Sequence, residues 1–269
     1  MKFQFTLIST LLLLSLNAFA EIQSKEIQYE LNGTVMTGFM AWDDEKKGKR
    51  PGVLVVHEWW GQNDYARKRA KDLAEEGYVG FALDMYGDKK VATHPEDAGK
   101  FMNEIMSRAD EMLARFDAAK AQLKSSELVD PNNIAAIGYC FGGAVVLNVA
   151  RNTSDLAGVV SFHGNLSALK SDDTSTVVTP MLVLNGADDP FVSAESIENF
   201  KKEMSVRNAN YQLINYPKTK HSFTNPDATA VGKEFGLPLE YNKYADKKSW
   251  KAMKKFLKKS FSHPLLLAE

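Results

Sequence analysis

The chain has 269 residues, 44% apolar and 10% aromatic, with 33 Lys and Arg against 34 Asp and Glu. That apolar content over this length excludes a disordered or fibrous protein, and a net charge of −1 argues against a dedicated nucleic-acid binder. A single cysteine excludes an intramolecular disulfide framework.

Residues 1–20 read as a secretory signal peptide. Lys2 supplies the positive start, residues 5–16 the short apolar run, and Ala18-Phe19-Ala20 the small residues before cleavage. The run is shorter than the ~20 apolar residues of a membrane-spanning helix. Cleavage after Ala20, no stable membrane insertion afterwards, and a periplasmic or secreted product are therefore expected. An oxidising compartment uses cysteines in pairs, so a lone one is either an intermolecular link or a thiol kept for chemistry.

Beyond the leader, residues 27–31 and 35–41 alternate around Asn32-Gly33, the pattern of a β-hairpin. Pro51-Gly52 opens a continuous apolar run over 53–56, as in a buried parallel strand. An amphipathic helix is predicted over 64–76, a strand over 79–83, and one long helix from about Pro95 to Lys124. A strand over 134–139 leads into a helix over 141–150. Strands over 158–162, 181–184 and 211–216 follow, with a helix near 194–204 and a last one over 243–259. After the opening hairpin, repeated β-then-α units predict one α/β domain over 21–269: a mainly parallel eight-stranded sheet with helices on both faces. The last helix is lysine-rich outside and apolar inside, which fits a solvated outer face better than a membrane or polyanion surface.

The chemistry concentrates at Gly138-Tyr139-Cys140-Phe141-Gly142-Gly143, which joins an apolar strand directly to a helix. This is the nucleophile-elbow pattern with cysteine in the serine position. A sharp turn strains the apex residue and brings the chain on either side together, so Gly138 and Gly142 carry no side chain there. The turn projects the Cys140 sulfur above the strand, at a helix N-terminus whose dipole favours negative charge. The Phe141 backbone N–H points to where an oxyanion would form. The plain alternative is an inert buried cysteine; the paired glycines argue against it.

A cysteine nucleophile needs a base, and the base an orienting group. In this fold their order is nucleophile, acid, histidine. Gly186-Ala187-Asp188-Asp189-Pro190 follows the strand over 181–184, and either aspartate fits the acid. His221 follows the strand over 211–216 and fits the base. His163 precedes the acids, and His94 and His263 sit before prolines in polar surroundings. His57-Glu58-Trp59-Trp60-Gly61 begins like a zinc-protease motif, but Gly61 stands where the second histidine belongs. No metal site and no cofactor is expected.

These motifs, with Leu83-Asp84-Met85-Tyr86-Gly87, resemble the dienelactone hydrolase family, a branch of the α/β-hydrolase fold with a Cys-His-Asp triad. The resemblance spans nearly the whole mature chain. It implies Cys140 as nucleophile, His221 as base, Asp189 as its partner, and Glu58 as a carboxylate near the nucleophile that holds the resting thiol as S–H. It also implies the Trp59 N–H as a second oxyanion donor beside Phe141. Family members that hydrolyse dienelactone grip its carboxylate with arginines; here Asn225 stands in one such place, and a neutral amide lacks that charge. Trp60, Tyr86, Phe191, Phe223 and Asn225 are expected to line the substrate pocket.

The expected function is therefore hydrolysis of a small-molecule carboxylic ester or lactone through a thioester acyl-enzyme. A thioesterase, acyltransferase or peptidase would use the same triad. A non-catalytic ligand-binding protein on this fold is the alternative from another class.

Overall fold

Apolar residues that alternate between two faces lay out a single sheet. The computed structural model describes residues 21–169 and 174–262; the signal peptide expected over 1–20 and His263 lie outside the described residues. Ile22–Leu31 (β1) and Thr34–Asp43 (β2) pair antiparallel. Their turn puts Asn32 at φ 50° and Gly33 at φ 81°, the two positive values that a tight I′ hairpin demands and that Asn-Gly supplies at low steric cost.

Arg50–Val56 (β3), Val79–Leu83 (β4), Val129–Tyr139 (β5), Gly158–Phe162 (β6), Met181–Gly186 (β7) and Tyr211–Tyr216 (β8) run parallel to one another. The sheet order is β1-β2-β4-β3-β5-β6-β7-β8, with β2 antiparallel to β4. The mainly parallel eight-stranded sheet and its opening hairpin are as the sequence predicts.

Among the described residues seven helices cover it: Asp64–Glu75 (α1), Pro95–Met106 (α2), Ala109–Lys124 (α3), Phe141–Asn152 (α4), Ala194–Val206 (α5), Ala228–Phe235 (α6) and Lys243–Ser262 (α7). Val53, Val55, Ile137 and Leu184 bury one sheet face against Ala70 and Leu73 of α1 and Met253 and Leu257 of α7. Leu54, Val56 and Ala136 bury the other against Phe116 of α3, Val145 of α4 and Phe200 of α5. The lysines of α7 lie outside, over Met253 and Leu257.

Two expectations need correction. The single helix over 95–124 is two, broken at Ser107 and Arg108, where Arg108 leaves helical geometry at φ −122°, ψ 72°. An unbroken helix of that length would run about 45 Å, against about 20 Å for the short parallel strands beneath it. Ser107 aids the break by donating its hydroxyl to Glu104 O at 3.1 Å, competing with the helical ladder. Second, α6 was not anticipated, because eight residues with only Ala228 and Gly232 buried give barely two turns in which to read a helical period.

The parallel strands share one direction, so the loops leaving β3 to β8 all open at the same edge of the sheet. That edge receives His57 to Gly61, Asp84, Cys140, His163, Asp189 and His221.

Candidate active site

Cys140 sits between β5 and α4 with φ 53° and ψ −113°, a conformation costly for a side-chain-bearing residue. The turn is held from both sides. A Cβ on Gly138 would lie 2.0 Å from Gly142 O, and one on Gly142 would lie 2.2 Å from Val56 O. Neither position tolerates a side chain without moving main chain. The Gly142 N–H donates to His57 O at 3.1 Å, tying the turn to the loop after β3. Cys140 is half-buried and its thiol is free. Phe141 opens α4, so its N–H has no acceptor within the helix.

His221 faces Cys140 on one side and Asp189 on the other. Its Nδ1 donates to Asp189 Oδ2 at 2.8 Å, and Asp189 Oδ1 accepts the Phe191 N–H at 2.9 Å. Both carboxylate oxygens are thus used, whereas Asp188 is exposed. Burial pushes the imidazole pKa down. The charge of Cys140 and hydrogen bonds to Asp189 and Cys140 outweigh it and lift the pKa to about 10.

Glu58 is only 2% exposed. Oε1 accepts the Ser222 hydroxyl at 2.9 Å, and Oε2 accepts the Asn225 amide at 2.8 Å. Burial raises its pKa against those hydrogen bonds and the positive charges of His221 and Arg69. Asn225, expected at the pocket wall, spends its amide on Glu58. The two groups lie 167 residues apart in sequence, and no spacing rule connects them.

The Glu58–Trp59 peptide is oriented by its neighbour. His57 Nδ1 donates to Glu58 O at 2.5 Å while His57 Nε2 accepts the Met85 N–H at 3.3 Å. A trans peptide points its N–H away from its carbonyl, so His57 aims the Trp59 N–H. Burial lowers the His57 pKa, which keeps the ring neutral for this role. Tyr86 is buried over His57 and Phe141 and donates its hydroxyl to Trp59 O at 2.9 Å. The loop carrying Tyr86 is itself held by Asp84, whose Oδ1 accepts the Tyr86 and Gly87 N–H groups at 3.0 and 2.8 Å.

Of the other residues expected to line a pocket, Phe191 is 51% exposed and sets its ring edge-on to His221, centroids 4.9 Å apart. Trp60 is half-buried between Trp59 and Phe235, at 5.0 and 6.3 Å. Phe223 departs from expectation. It is fully buried against Tyr216 and His163, at 5.7 and 5.3 Å, in the core beneath the site rather than at its mouth.

Sequence reasoning sets His163 aside because it precedes the acids and does not single out Thr224, Tyr65 or Arg69; all four are buried at this edge. His163 had one usable signal: it leaves the end of β6 as Cys140 leaves β5. The others depend on contacts across 61 and 159 residues. Among the described residues, no group of three or more His, Cys, Asp or Glu side chains is placed to hold a metal ion.

A model of the dienelactone hydrolase family matches residues 36–261. A dienelactone hydrolase-like promiscuous phosphotriesterase from metagenomic libraries superposes with a TM-score of 0.85 at 33% identity, covering 90% of this chain and 100% of its own. A solved structure called m3DLH gives 0.84 at 34% identity, covering 89% and 99%. The protein usf of Aquifex pyrophilus is 29% identical over 204 residues, 74% of this chain and 86% of that one.

Proposed function

The chain belongs to the dienelactone hydrolase family, and from that premise we propose that it cleaves a carboxylic ester or lactone through Cys140 and a thioester acyl-enzyme. The observation that carries the reading is His221, which has the cysteine on one side and Asp189 at 2.8 Å on the other. A binding module has no need of that alignment.

In the first half-reaction the Cys140 sulfur bonds to the carbonyl carbon and the carbonyl electron pair moves onto oxygen. The Phe141 and Trp59 N–H groups receive that oxyanion, each such donor typically contributing ~3 kcal/mol. The intermediate collapses, the carbon–oxygen bond to the alcohol breaks, and the His221 imidazolium gives its Nε2 proton to the departing alkoxide. In the second half the sulfur is acylated and uncharged. The Cys140 share of what raised the His221 pKa is then gone, Asp189 still orients the ring, and His221 gives up its proton more readily and can act as the base. It takes a proton from water, hydroxide adds to the thioester, and the carbon–sulfur bond breaks to release the acid and restore the ion pair.

The surroundings favour an uncharged substrate. Phe191, Trp59 and Trp60 present rings, and Asn225 offers no charge to hold a carboxylate. A similar protein is described as a phosphotriesterase, and phosphotriesters are uncharged, which points the same way. Glu58 would act as a cap on the resting thiol through the lone pairs that its bonds from Ser222 and Asn225 leave open.

The test is hydrolysis of p-nitrophenyl acetate beside Cys140→Ala. The variant should lose at least roughly 10³-fold in kcat/KM, about 4 kcal/mol, and its His221 should titrate below the wild-type ring by NMR. Equal rates in the two proteins overturn the reading.

A further inference from the structure

Behind the base runs a chain of buried polar groups that the hydrolytic steps do not use. The Cys140 N–H is shared between Phe162 O at 3.0 Å and His163 Nδ1 at 3.1 Å. Nδ1 is therefore the bare nitrogen of a neutral ring, and the proton sits on Nε2, 2.9 Å from Thr224 Oγ1. That hydroxyl lies 2.7 Å from Tyr65 OH, which accepts from Arg69 Nε at 3.2 Å. Arg69 Nη2 returns to Thr224 O at 2.7 Å and pairs with Asp246 at 2.8 Å.

His163 is strained as Cys140 is. Its φ is 42°, so two side-chain-bearing residues in the left-handed region are joined by a hydrogen bond. Its ring meets His221 edge-on, centroids 5.0 Å apart. We propose that His163 is a positioning residue for the reaction at Cys140. Its neutral ring is a strut that fixes the nucleophile's turn through Nδ1 and the base's loop through Thr224, with Tyr65 and Arg69 bracing it from behind. This rests on the hydrolytic reading above.

Three observations converge. The two links need an acceptor and a donor on different edges of one flat group, which neutral imidazole supplies. Burial, with the charges of His221 and Arg69, holds the His163 pKa well below the usual histidine range, so the strut does not compete with His221 for the proton. Thr224 shares its loop with His221, Ser222 and Asn225, so a shift there moves the base and both Glu58 partners together. Displacements of about 1 Å at such a site can cost about 100-fold in rate.

Thr224→Val keeps the shape and removes the hydroxyl, whereas Thr224→Ser keeps the hydroxyl. On p-nitrophenyl acetate, Thr224→Val should lower kcat about tenfold with KM unchanged, and Thr224→Ser should restore it to within about twofold. Two readouts do not need turnover. Nitrogen NMR should find His163 bare at Nδ1 and protonated at Nε2 in wild type, and iodoacetamide should alkylate Cys140 more slowly in Thr224→Val than in Thr224→Ser. Should Thr224→Val not fold, Tyr65→Phe should lower kcat in the same direction by a smaller factor. Unchanged kcat in the variant that folds, equal losses in the serine and valine forms, or a His163 proton on Nδ1 would each overturn the strut. A wild type inert to esters, with alkylation still dependent on the Thr224 hydroxyl, would sink the hydrolytic reading and leave the strut standing.

Discussion

The loops after β6 and β8 each carry a buried histidine, the two rings touch edge-on, and their pKa values move in opposite directions. His221 is lifted to about 10, while His163 is driven well below the ordinary value. Desolvation disfavours the cation in both, so burial does not decide between them. The partners do. His221 faces a carboxylate and a sulfur that welcome a proton, whereas His163 Nδ1 faces an N–H that forbids one. Adjacent imidazoles thereby divide the work of holding a proton and holding a shape.

The most severe way to break that division is Asp189→Asn. Losing the carboxylate should drop the His221 pKa below its wild-type value and lower kcat by roughly 10³- to 10⁴-fold. Stopped-flow rates and a histidine NMR titration check both, and an unmoved titration would dissociate Asp189 from the charge of the ring. A smaller effect is expected at Glu58, whose buried carboxyl is bonded to Ser222 and Asn225 of the His221 loop. If Glu58 disfavours the free thiolate, Glu58→Gln should accelerate iodoacetamide alkylation several-fold, about 1 kcal/mol. No acceleration removes the cap from the mechanism. The smallest change belongs to Phe191→Ala, on the solvent side of His221. One edge-on aromatic contact is typically worth about 0.5–1.5 kcal/mol, so KM should rise a few-fold with kcat nearly constant. A fall in kcat of the Asp189→Asn order would instead make Phe191 part of the base's support.

Much of the frame was legible because its signals are local. β4 and β6 begin and end where short, mainly apolar runs do, and the Asn32-Gly33 turn carries its own conformational demand. Cys140, Asp189 and His221 were legible through order along the chain, because successive parallel strands deliver their loops to one edge. What lay beyond reach depended on tertiary geometry. The break after Met106 follows from the length of the sheet below it, and Phe223 looks like a mouth residue until its ring is found under His163. Asn225 had been weighed for its missing charge, whereas its amide turns to Glu58. The strut of His163, Thr224, Tyr65 and Arg69 has no sequence motif at all.

The bonds from Ser222 and Asn225 to Glu58 close loops of 164 and 167 residues, among the slowest kinds of contact for a folding chain to find. On the proposed mechanism, the thiol is therefore made well before the groups that would serve it. A nascent chain that has grown past the Cys140 turn but has not yet delivered β8 holds a bare sulfur with neither its proton acceptor nor the anchors of its neighbouring carboxylate. If the proposed mechanism holds, reactivity arrives only with the last strand and the loop after it, and a cut upstream of that strand leaves most of a sheet without its base.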